Sequence, residues 1–293
     1  MTELRPLTER LIPAADGCEI AVADWPGEVG PLVCVHGLTS HSRAFAGLAA
    51  ELPGYRLVAV DCRGRGKSSK KPPFGLEQHA ADLAAVMDHL GVDKATLVGH
   101  SMGAYIAGAF CARYPERVRR LVFVDGGYPQ PLPPGATPDS LLESMLSFAL
   151  EKLRRTWTSV EEYFAFYEDT PLYRHGVDPY GRAHFAYDLY GAEPNLRARI
   201  VEECIAPDWR DVLDLDAVAR RLKGVKVPLL LVRAPGGLTG AGDEVVPDEV
   251  RDQITSAVAE AHVVDVPGTN HHTILFSIPG AHAVARAIEE FMR

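Results

Sequence analysis

Residues 95–103 run Ala95-Thr96-Leu97-Val98-Gly99-His100-Ser101-Met102-Gly103, and this stretch decides the fold. The apolar start predicts a buried strand, and the Ala-rich residues 103–114 predict a helix after it. A serine between two glycines at such a junction is typical of a sharp turn that holds the hydroxyl outward. The glycines are needed because larger side chains there would collide with the neighbouring strand and helix. We therefore predict that Ser101 is a nucleophile.

Short apolar runs rich in Val and Leu recur along the chain and predict strands that are buried on both faces. These runs are residues 32–35, 57–60, 97–98, 121–124, 229–232 and 263–266. Helical periods lie between them, for example at residues 77–90 and 281–292. Alternating strands and helices predict a parallel sheet. Residues 7–14 and 19–25 are close enough in the chain to form an antiparallel hairpin beside it.

The alternation stops after Asp125, where five prolines between residues 129 and 138 interrupt both helices and strands. From residue 139 to 221 the pattern is helical without strands, and the sheet resumes at Pro228. The helical patterns cover residues 141–153, 160–167, 183–190 and 196–205. We predict a core of residues 1–127 and 226–293, with residues 128–225 inserted as a helical cap. Because both ends of the insertion return to one sheet, it is a lid rather than an independent domain.

A serine hydroxyl needs a base within hydrogen-bond distance before it can attack at neutral pH. We predict His271 as this base, since residues 268–272 follow the last apolar strand and precede the C-terminal helix. The chain order serine, acid, histidine is then satisfied. His272 is expected to pack nearby or to line the pocket.

Two aspartates are candidates for the acid that orients this histidine. Asp243 lies in the glycine-rich loop after the strand at residues 229–232, where the acid of such enzymes most often lies. Asp125 ends the preceding strand. We favour Asp243, although its loop is longer than a tight acid loop needs to be, and the other aspartate would then be a turn or cap residue.

A second loop is expected beside the serine turn, because Val35-His36-Gly37-Leu38 closes a strand and precedes a helix. When Ser101 attacks a carbonyl group, the oxyanion requires two backbone N–H donors. We predict Leu38 and Met102 for this role.

Composition and motifs exclude several other functions. The formal charge of −9 disfavours nucleic acid and anionic lipid, and the five scattered cysteines indicate buried thiols. Residues 61–68 end like a phosphate-binding loop but begin with aspartate, and the basic cluster at residues 63–71 is expected to form a solvated turn. Metal-binding motifs are absent from the sequence. The mixed charges of residues 1–20 predict neither a leader nor a membrane span, so we expect a cytoplasmic protein.

Taken together, the chain resembles the α/β-hydrolase superfamily over nearly its whole length. The resemblance is carried by His36-Gly37, by Asp61, Arg63, Gly64, Gly66 and Ser68, by the serine turn, by a late acid and by His271. It implies an α/β fold with an eight-stranded, mostly parallel sheet flanked by helices, a cap inserted after strand 6 and no cofactor. It also implies hydrolysis through an acyl-enzyme. Serine at the turn argues against the haloalkane dehalogenases and epoxide hydrolases, which attack with aspartate.

The cap of such a protein supplies much of the pocket wall, and residues 128–225 are rich in aromatic side chains. The candidate pocket residues are His36, His100, Tyr128, Phe148, Trp157 and His272. His36 and His100 are more often structural, and aromatic residues at helical spacing more often hold a cap in place than contact a ligand. Ring-lined pockets favour a small, mostly apolar ester, lactone or thioester as substrate. The alternatives are a carbon–carbon bond hydrolase or perhydrolase with the same triad, and a small-molecule receptor without catalysis.

Overall fold

The computed structural model describes residues 4–128, 135, 137, 139–141, 147–173, 176–238 and 242–293. The strands are β1 (Thr8–Pro13), β2 (Glu19–Trp25), β3 (Val29–Val35), β4 (Tyr55–Val60), β5 (Ala95–His100), β6 (Val118–Val124), β7 (Leu189–Tyr190), β8 (Arg197–Ala198), β9 (Leu229–Arg233) and β10 (Ala261–Asp265). The helices are α1 (Ala46–Glu51), α2 (Leu76–His89), α3 (Met102–Arg113), α4 (Ser147–Arg154), α5 (Val160–Glu168), α6 (Pro179–Asp188), α7 (Ile205–Val212), α8 (Leu215–Lys223), α9 (Asp248–Ala257), α10 (Thr273–Phe276) and α11 (Ile278–Met292).

One sheet of eight strands organises the molecule, in the order β1-β2-β4-β3-β5-β6-β9-β10. β1 pairs with β2, and β2 with β4, in antiparallel fashion, while the remaining neighbours are parallel. The predicted hairpin and the mostly parallel sheet are therefore confirmed. Because parallel strands end at the same edge, the loops after β3, β5, β6, β9 and β10 meet there.

The core lies on both faces of this sheet, as the apolar runs predict. In β3, Val33 and Val35 belong to one buried cluster, whereas Leu32 and Cys34 belong to the other. α2, α3, α8 and α9 contribute side chains to the first cluster, and α1, α10 and α11 contribute to the second. This three-layer packing fixes the strand ends and so fixes the starting points of the loops that carry the site.

Between β6 and β9 the described residues are largely helical, and α4 to α8 lie there. The prediction of a helix at residues 196–205 is wrong, because β7 and β8 form a short antiparallel pair, with Leu189 opposite Ala198. Rings fill the centre of this segment: Trp157, Tyr163, Tyr167, Tyr173 and Phe185 share one buried cluster. The boundaries of 128–225 as a cap remain a prediction.

No helix in the part of the chain that the structure describes is both long enough and apolar enough to cross a membrane.

Candidate active site

Ser101 lies at the turn between β5 and α3 with a strained backbone, φ 55° and ψ −124°. A residue other than glycine rarely adopts a positive φ, and this turn is held by its surroundings. A Cβ atom on Gly99 would lie 2.3 Å from the carbonyl oxygen of Gly103, and one on Gly103 would lie 1.9 Å from that of Val35. Both glycines are thus required for β3, β5 and α3 to approach closely. Ser101 itself remains partly accessible.

The loop after β10 brings His271 to the serine. His271 Nε2 lies 3.0 Å from Ser101 Oγ, within hydrogen-bond distance. The backbone of the histidine is fixed on both sides, since its N–H donates to the carbonyl of Gly237 at 3.3 Å and its carbonyl accepts from His100 Nε2 at 2.9 Å. The ring is therefore positioned by β9 and β5 as well as by its own loop.

The carboxylate group that contacts this histidine belongs to Asp125. His271 Nδ1 lies 2.7 Å from Asp125 Oδ2, and the other carboxylate oxygen accepts the N–H of Ala234 at 3.1 Å. Asp243 lies against Gly237, next to the backbone of the histidine loop. The sequence pattern favoured Asp243, which follows β9, whereas the aspartate that contacts the ring follows the neighbouring strand β6.

The loop after β3 passes beside Ser101, as predicted for the oxyanion donors. A Cβ atom on Gly37 would lie 3.0 Å from Ser101 Cβ. Leu38 follows directly, and Met102 begins α3, where the first backbone N–H groups of a helix have no partner within it. Both predicted donors thus belong to segments that adjoin Ser101.

His36, one of the pocket candidates, holds this loop by hydrogen bonds. Its ring is fully buried, Nδ1 donates to the carbonyl of Gly37 at 2.7 Å, and Nε2 accepts the N–H of Cys62 at 2.8 Å. Burial lowers the pKa of His36 to about 4, so the ring is neutral near pH 7. This tautomer ties the loop after β3 to the loop after β4.

Uncharged rings surround His271. Burial lowers the pKa of His100 well below its ordinary value and that of His272 to about 3, with the neighbouring His271 adding to both effects. Phe276 packs edge-on against His100 at a centroid distance of 5.9 Å, and Tyr173 contacts His272. Two of the pocket candidates, His100 and His272, are therefore beside the site.

The other pocket candidates are less closely tied to it. Trp157 is buried among the rings between β6 and β9, where Tyr163 and Phe166 meet it edge-on, and no contact joins it to the serine or the histidine among the described residues. Tyr128 packs partly buried against the core cluster that contains Met102. The Phe148 side chain lies outside the described part of the chain.

The basic turn at residues 61–68 is only partly solvated, because Lys67 is exposed as expected but the two arginines are not. Arg63 and Arg65 are fully buried. Arg63 donates to Asp82 of α2, and Arg65 Nη1 lies 2.5 Å from Asp208 Oδ2 in α7. Asp61 accepts from the backbone of Ser42 and Lys67 at 2.7 and 2.8 Å. Composition cannot reveal that these arginines are buried, because burial depends on carboxylate partners elsewhere in the chain and not on the residue type.

Sequence reasoning also missed a buried ion pair, Lys152 with Asp188, between α4 and the end of α6. Glu151 and Arg154, charged residues of the same helix, are exposed, so charge pattern alone does not distinguish the buried lysine. As for metals, the described residues contain no group of three or more His, Cys, Asp or Glu side chains arranged to hold an ion.

A mostly parallel sheet whose strand-to-helix turn presents a serine to a histidine is the architecture of the α/β hydrolases. A family model described as the α/β hydrolase fold matches residues 30–277, so the chain belongs to that family.

Relatives share this family but differ in their named activities. A bifunctional esterase/perhydrolase of Acinetobacter calcoaceticus is 26% identical over 276 residues, which cover 87% of this chain and 90% of that protein. A putative 2-succinyl-6-hydroxy-2,4-cyclohexadiene-1-carboxylate synthase of Bacillus subtilis is 36% identical over 115 residues, 38% of this chain and 42% of the relative. In this match and in two others, the chain spans less than half of the relative's length, namely 42%, 32% and 26%. The crystal structure of E-2-(acetamidomethylene)succinate hydrolase superimposes with a TM-score of 0.80 at 22% identity, covering 98% of this chain and 99% of that one, and shows the shared fold.

Proposed function

We propose that this protein is a serine hydrolase that cleaves small, mostly apolar carboxylic esters through an acyl-enzyme. Ser101 is the nucleophile, His271 the general base and Asp125 the orienting acid. One observation carries the proposal: Ser101 Oγ, His271 and Asp125 form a continuous hydrogen-bonded chain with distances of 3.0 and 2.7 Å. The chain order serine, acid, histidine is the usual one, and the acid follows β6 instead of β9.

The proton movements follow from this arrangement. His271 accepts the Ser101 proton at Nε2 as Oγ attacks the ester carbonyl, and the imidazolium is stabilised by Asp125 through Nδ1–H. The histidine then returns the proton to the leaving alkoxide. A water molecule repeats the attack on the acyl-enzyme, with His271 as base, and releases the carboxylic acid.

The oxyanion formed in both steps would be bound by the backbone N–H groups of Leu38 and Met102. Support comes from the approach of residue 37 to Ser101 and from the position of Met102 at the start of α3. The neutral rings of His100 and His272 near the base favour an uncharged acyl group. Lactones and thioesters suit the same chemistry.

Replacing Ser101 by alanine tests the proposal. We expect Ser101→Ala to reduce turnover of p-nitrophenyl butyrate to the uncatalysed background, because the hydroxyl acts in the chemistry and supports no packing. Its circular dichroism spectrum and urea midpoint should match those of the wild type. A serine-directed fluorophosphonate should label wild-type Ser101, located by peptide mass, and leave the variant unlabelled.

Ser256→Ala, an exposed change on α9, is the matched control and should keep full activity and labelling. Unchanged turnover in Ser101→Ala would exclude Ser101 as the nucleophile. A wild type that neither reacts with the fluorophosphonate nor hydrolyses any ester of a chain-length series would instead favour the small-molecule receptor.

A perhydrolase activity is a second candidate, favoured by the full-length match to the esterase/perhydrolase of Acinetobacter calcoaceticus. Hydrogen peroxide would then replace water as the nucleophile that releases the acyl-enzyme, giving a peracid. Peracid formation from p-nitrophenyl acetate and hydrogen peroxide, measured beside hydrolysis, separates the two activities. A carbon–carbon bond hydrolase would be recognised in the same panel by turnover of a diketone.

A further inference from the structure

Lys152 is a buried lysine on α4, and burial of an ammonium group is costly unless it is paired and hydrogen-bonded. Its side chain is only 4% exposed. Nζ lies 2.8 Å from Asp188 Oδ2 at the end of α6 and 3.1 Å from the carbonyl oxygen of Thr39. Tyr163 of α5 donates its hydroxyl to the same carboxylate oxygen. Three helices between β6 and β9 thus hold one ammonium group against the loop after β3.

The charge of this lysine is retained in the fold. Burial by itself lowers the pKa of Lys152, but the Asp188 carboxylate outweighs it and raises the pKa above its ordinary value. Lys152 is therefore a charged donor to the Thr39 carbonyl, and such hydrogen bonds are roughly twice as strong as those between neutral groups.

The loop after β3 is held at three successive carbonyl groups. The carbonyl of Gly37 accepts from His36 Nδ1 at 2.7 Å, that of Leu38 from Arg65 Nε at 3.0 Å, and that of Thr39 from Lys152 Nζ at 3.1 Å. A peptide unit is planar and trans, so fixing the Gly37 carbonyl fixes the Leu38 N–H on the opposite side of the same unit. The next two hydrogen bonds keep the following peptide units from rotating it away.

The three donors have different origins. His36 and Arg65 belong to loops of the sheet, whereas Lys152 belongs to the segment between β6 and β9. Arg65 is itself paired with Asp208 of α7, which lies in that segment too. Two of the three hydrogen bonds that hold the predicted oxyanion loop therefore depend, directly or through Asp208, on this helical segment.

We propose that Lys152 is a positioning residue, which holds the Thr39 carbonyl and thereby aims the Leu38 N–H at the oxyanion of the ester hydrolysis proposed above. Lys152 touches none of the reacting atoms. Its loss weakens binding of the tetrahedral oxyanion more than binding of the neutral ester, because only the oxyanion needs both N–H donors in place. The consequence is a lower kcat with little change in KM.

The test is the double variant Lys152→Met with Asp188→Asn, which removes both charges together and leaves an acceptor for the Tyr163 hydroxyl. For p-nitrophenyl butyrate we expect kcat to fall about 10- to 100-fold while KM stays within about twofold, since the loss of a whole oxyanion donor costs 10²- to 10³-fold. The inhibition constant of a trifluoromethyl ketone with the same acyl chain should rise by the same factor, because its adduct with Ser101 carries an oxyanion.

Arg154→Met is the matched control on the same helix, since Arg154 is exposed and pairs with exposed Glu202. It should leave kcat, KM and the inhibition constant unchanged. Should the double variant not fold by circular dichroism, Lys152→Arg replaces it: the guanidinium keeps the charge but cannot reproduce the ammonium position, so kcat falls several-fold at constant KM.

A folded variant with unchanged kcat and inhibition constant overturns the proposal, and so does a rise in KM at constant kcat, which would mean that Lys152 acts on ground-state binding. These results leave the proposed ester hydrolysis intact. A wild type that hydrolyses no ester overturns both proposals together.

Discussion

Asp125 has a left-handed backbone, φ 49°, directly after β6, and this unusual conformation turns its carboxylate toward the histidine. Its N–H still donates to the carbonyl of Val232 at 2.8 Å, so the strand pairing continues to the acid itself. The side chain is fully buried and its Oδ1 accepts the N–H of Ala234. The position of the Asp125 carboxylate is thus fixed by hydrogen bonds to β9 and to the residue after it, as well as by β6.

We expect Asp125→Asn to lower kcat for p-nitrophenyl butyrate by about 10⁴-fold, because an amide can hold the imidazole in the wrong tautomer and cannot stabilise the imidazolium. Asp243→Asn should change kcat by less than about threefold. Steady-state kinetics of the two purified variants, with urea unfolding to show that both are folded, makes the comparison. A larger loss of kcat in Asp243→Asn than in Asp125→Asn would show that the orienting acid is Asp243, in the loop after β9.

At the residue scale, the predicted serine and histidine lie within hydrogen-bond distance of each other, but the aspartate that contacts the histidine is not the one that the sequence favoured. Ser101 can be identified from its neighbours in the sequence, since the glycines at 99 and 103 and the flanking strand and helix are local features. Asp125 and Asp243 each follow a strand, and β6 and β9 are adjacent in the sheet, so both chain positions lead to the same edge. Which aspartate reaches the histidine depends on the backbone angle of Asp125 and on the hydrogen bond from the Ala234 N–H. The spacing of residues in the sequence predicts neither of them.

At the scale of elements, α3 contains one glycine that has no room for a side chain and one that has room for a methyl group. Gly103 is pressed against β3, where a Cβ atom would lie 1.9 Å from the Val35 carbonyl oxygen. Gly108, one and a half turns later, faces only Phe123, whose Cζ would lie 3.8 Å from a new Cβ atom. The first contact is with rigid backbone, and the second is an ordinary van der Waals distance.

We therefore expect Gly103→Ala to lower the free energy of unfolding by about 3 kcal/mol or more, because β3 or α3 must move. Gly108→Ala should be neutral or stabilising by up to about 1 kcal/mol, since alanine is the better helix former. Urea titrations followed by circular dichroism at 222 nm measure both. A Gly103→Ala protein as stable as the wild type would show that the turn does not need this close approach.

The strands and the helices that pack on the sheet were predictable for a physical reason. Their burial follows a simple period, so α2 was expected at residues 77–90 and lies at Leu76–His89. The segment between β6 and β9 was harder because its helices pack mainly on each other through aromatic rings. Residues 196–205 have apolar spacing that suits a helix, yet β8 is paired with β7 and the chain then turns through Glu202–Cys204. Lys152 is likewise buried only through partners distant in the chain.

At the scale of the whole molecule, buried neutral histidines link the sheet, the site and the helical segment. Burial is the first cause that lowers the pKa of each of five rings: His36, His41, His100, His184 and His272. His184 is stacked between His41 and Phe276, with centroid distances of 4.1 and 4.2 Å. These rings pack as neutral aromatic groups, and protonating them inside the fold is unfavourable.

Stability should consequently fall as the pH drops below about 6.5, the ordinary pKa of histidine in the unfolded chain. The unfolded chain binds these protons and the folded one does not, so the free energy of unfolding decreases with falling pH. Between pH 7.5 and 5.5 the loss is roughly 1 kcal/mol for each ring, several kcal/mol in all. This loss of stability continues until the folded state itself begins to protonate, at His36 near pH 4.

The buried carboxyl group of Asp208 titrates below this pH window. Burial by itself raises its pKa, but pairing with Arg65 and His79 outweighs burial and lowers the pKa of Asp208 to about 2.

Urea unfolding at pH 7.5, 6.5 and 5.5 measures the effect, and His184→Phe isolates one ring of the five. Phenylalanine keeps the stack between His41 and Phe276 but cannot bind a proton, so the pH slope should decrease by about one proton, or roughly 1.4 kcal/mol per pH unit well below pH 6.5. His262→Gln, at an exposed histidine of β10, should leave the slope unchanged. If His184→Phe has the wild-type slope, His184 takes up its proton in the folded state as well, and burial does not keep that ring neutral.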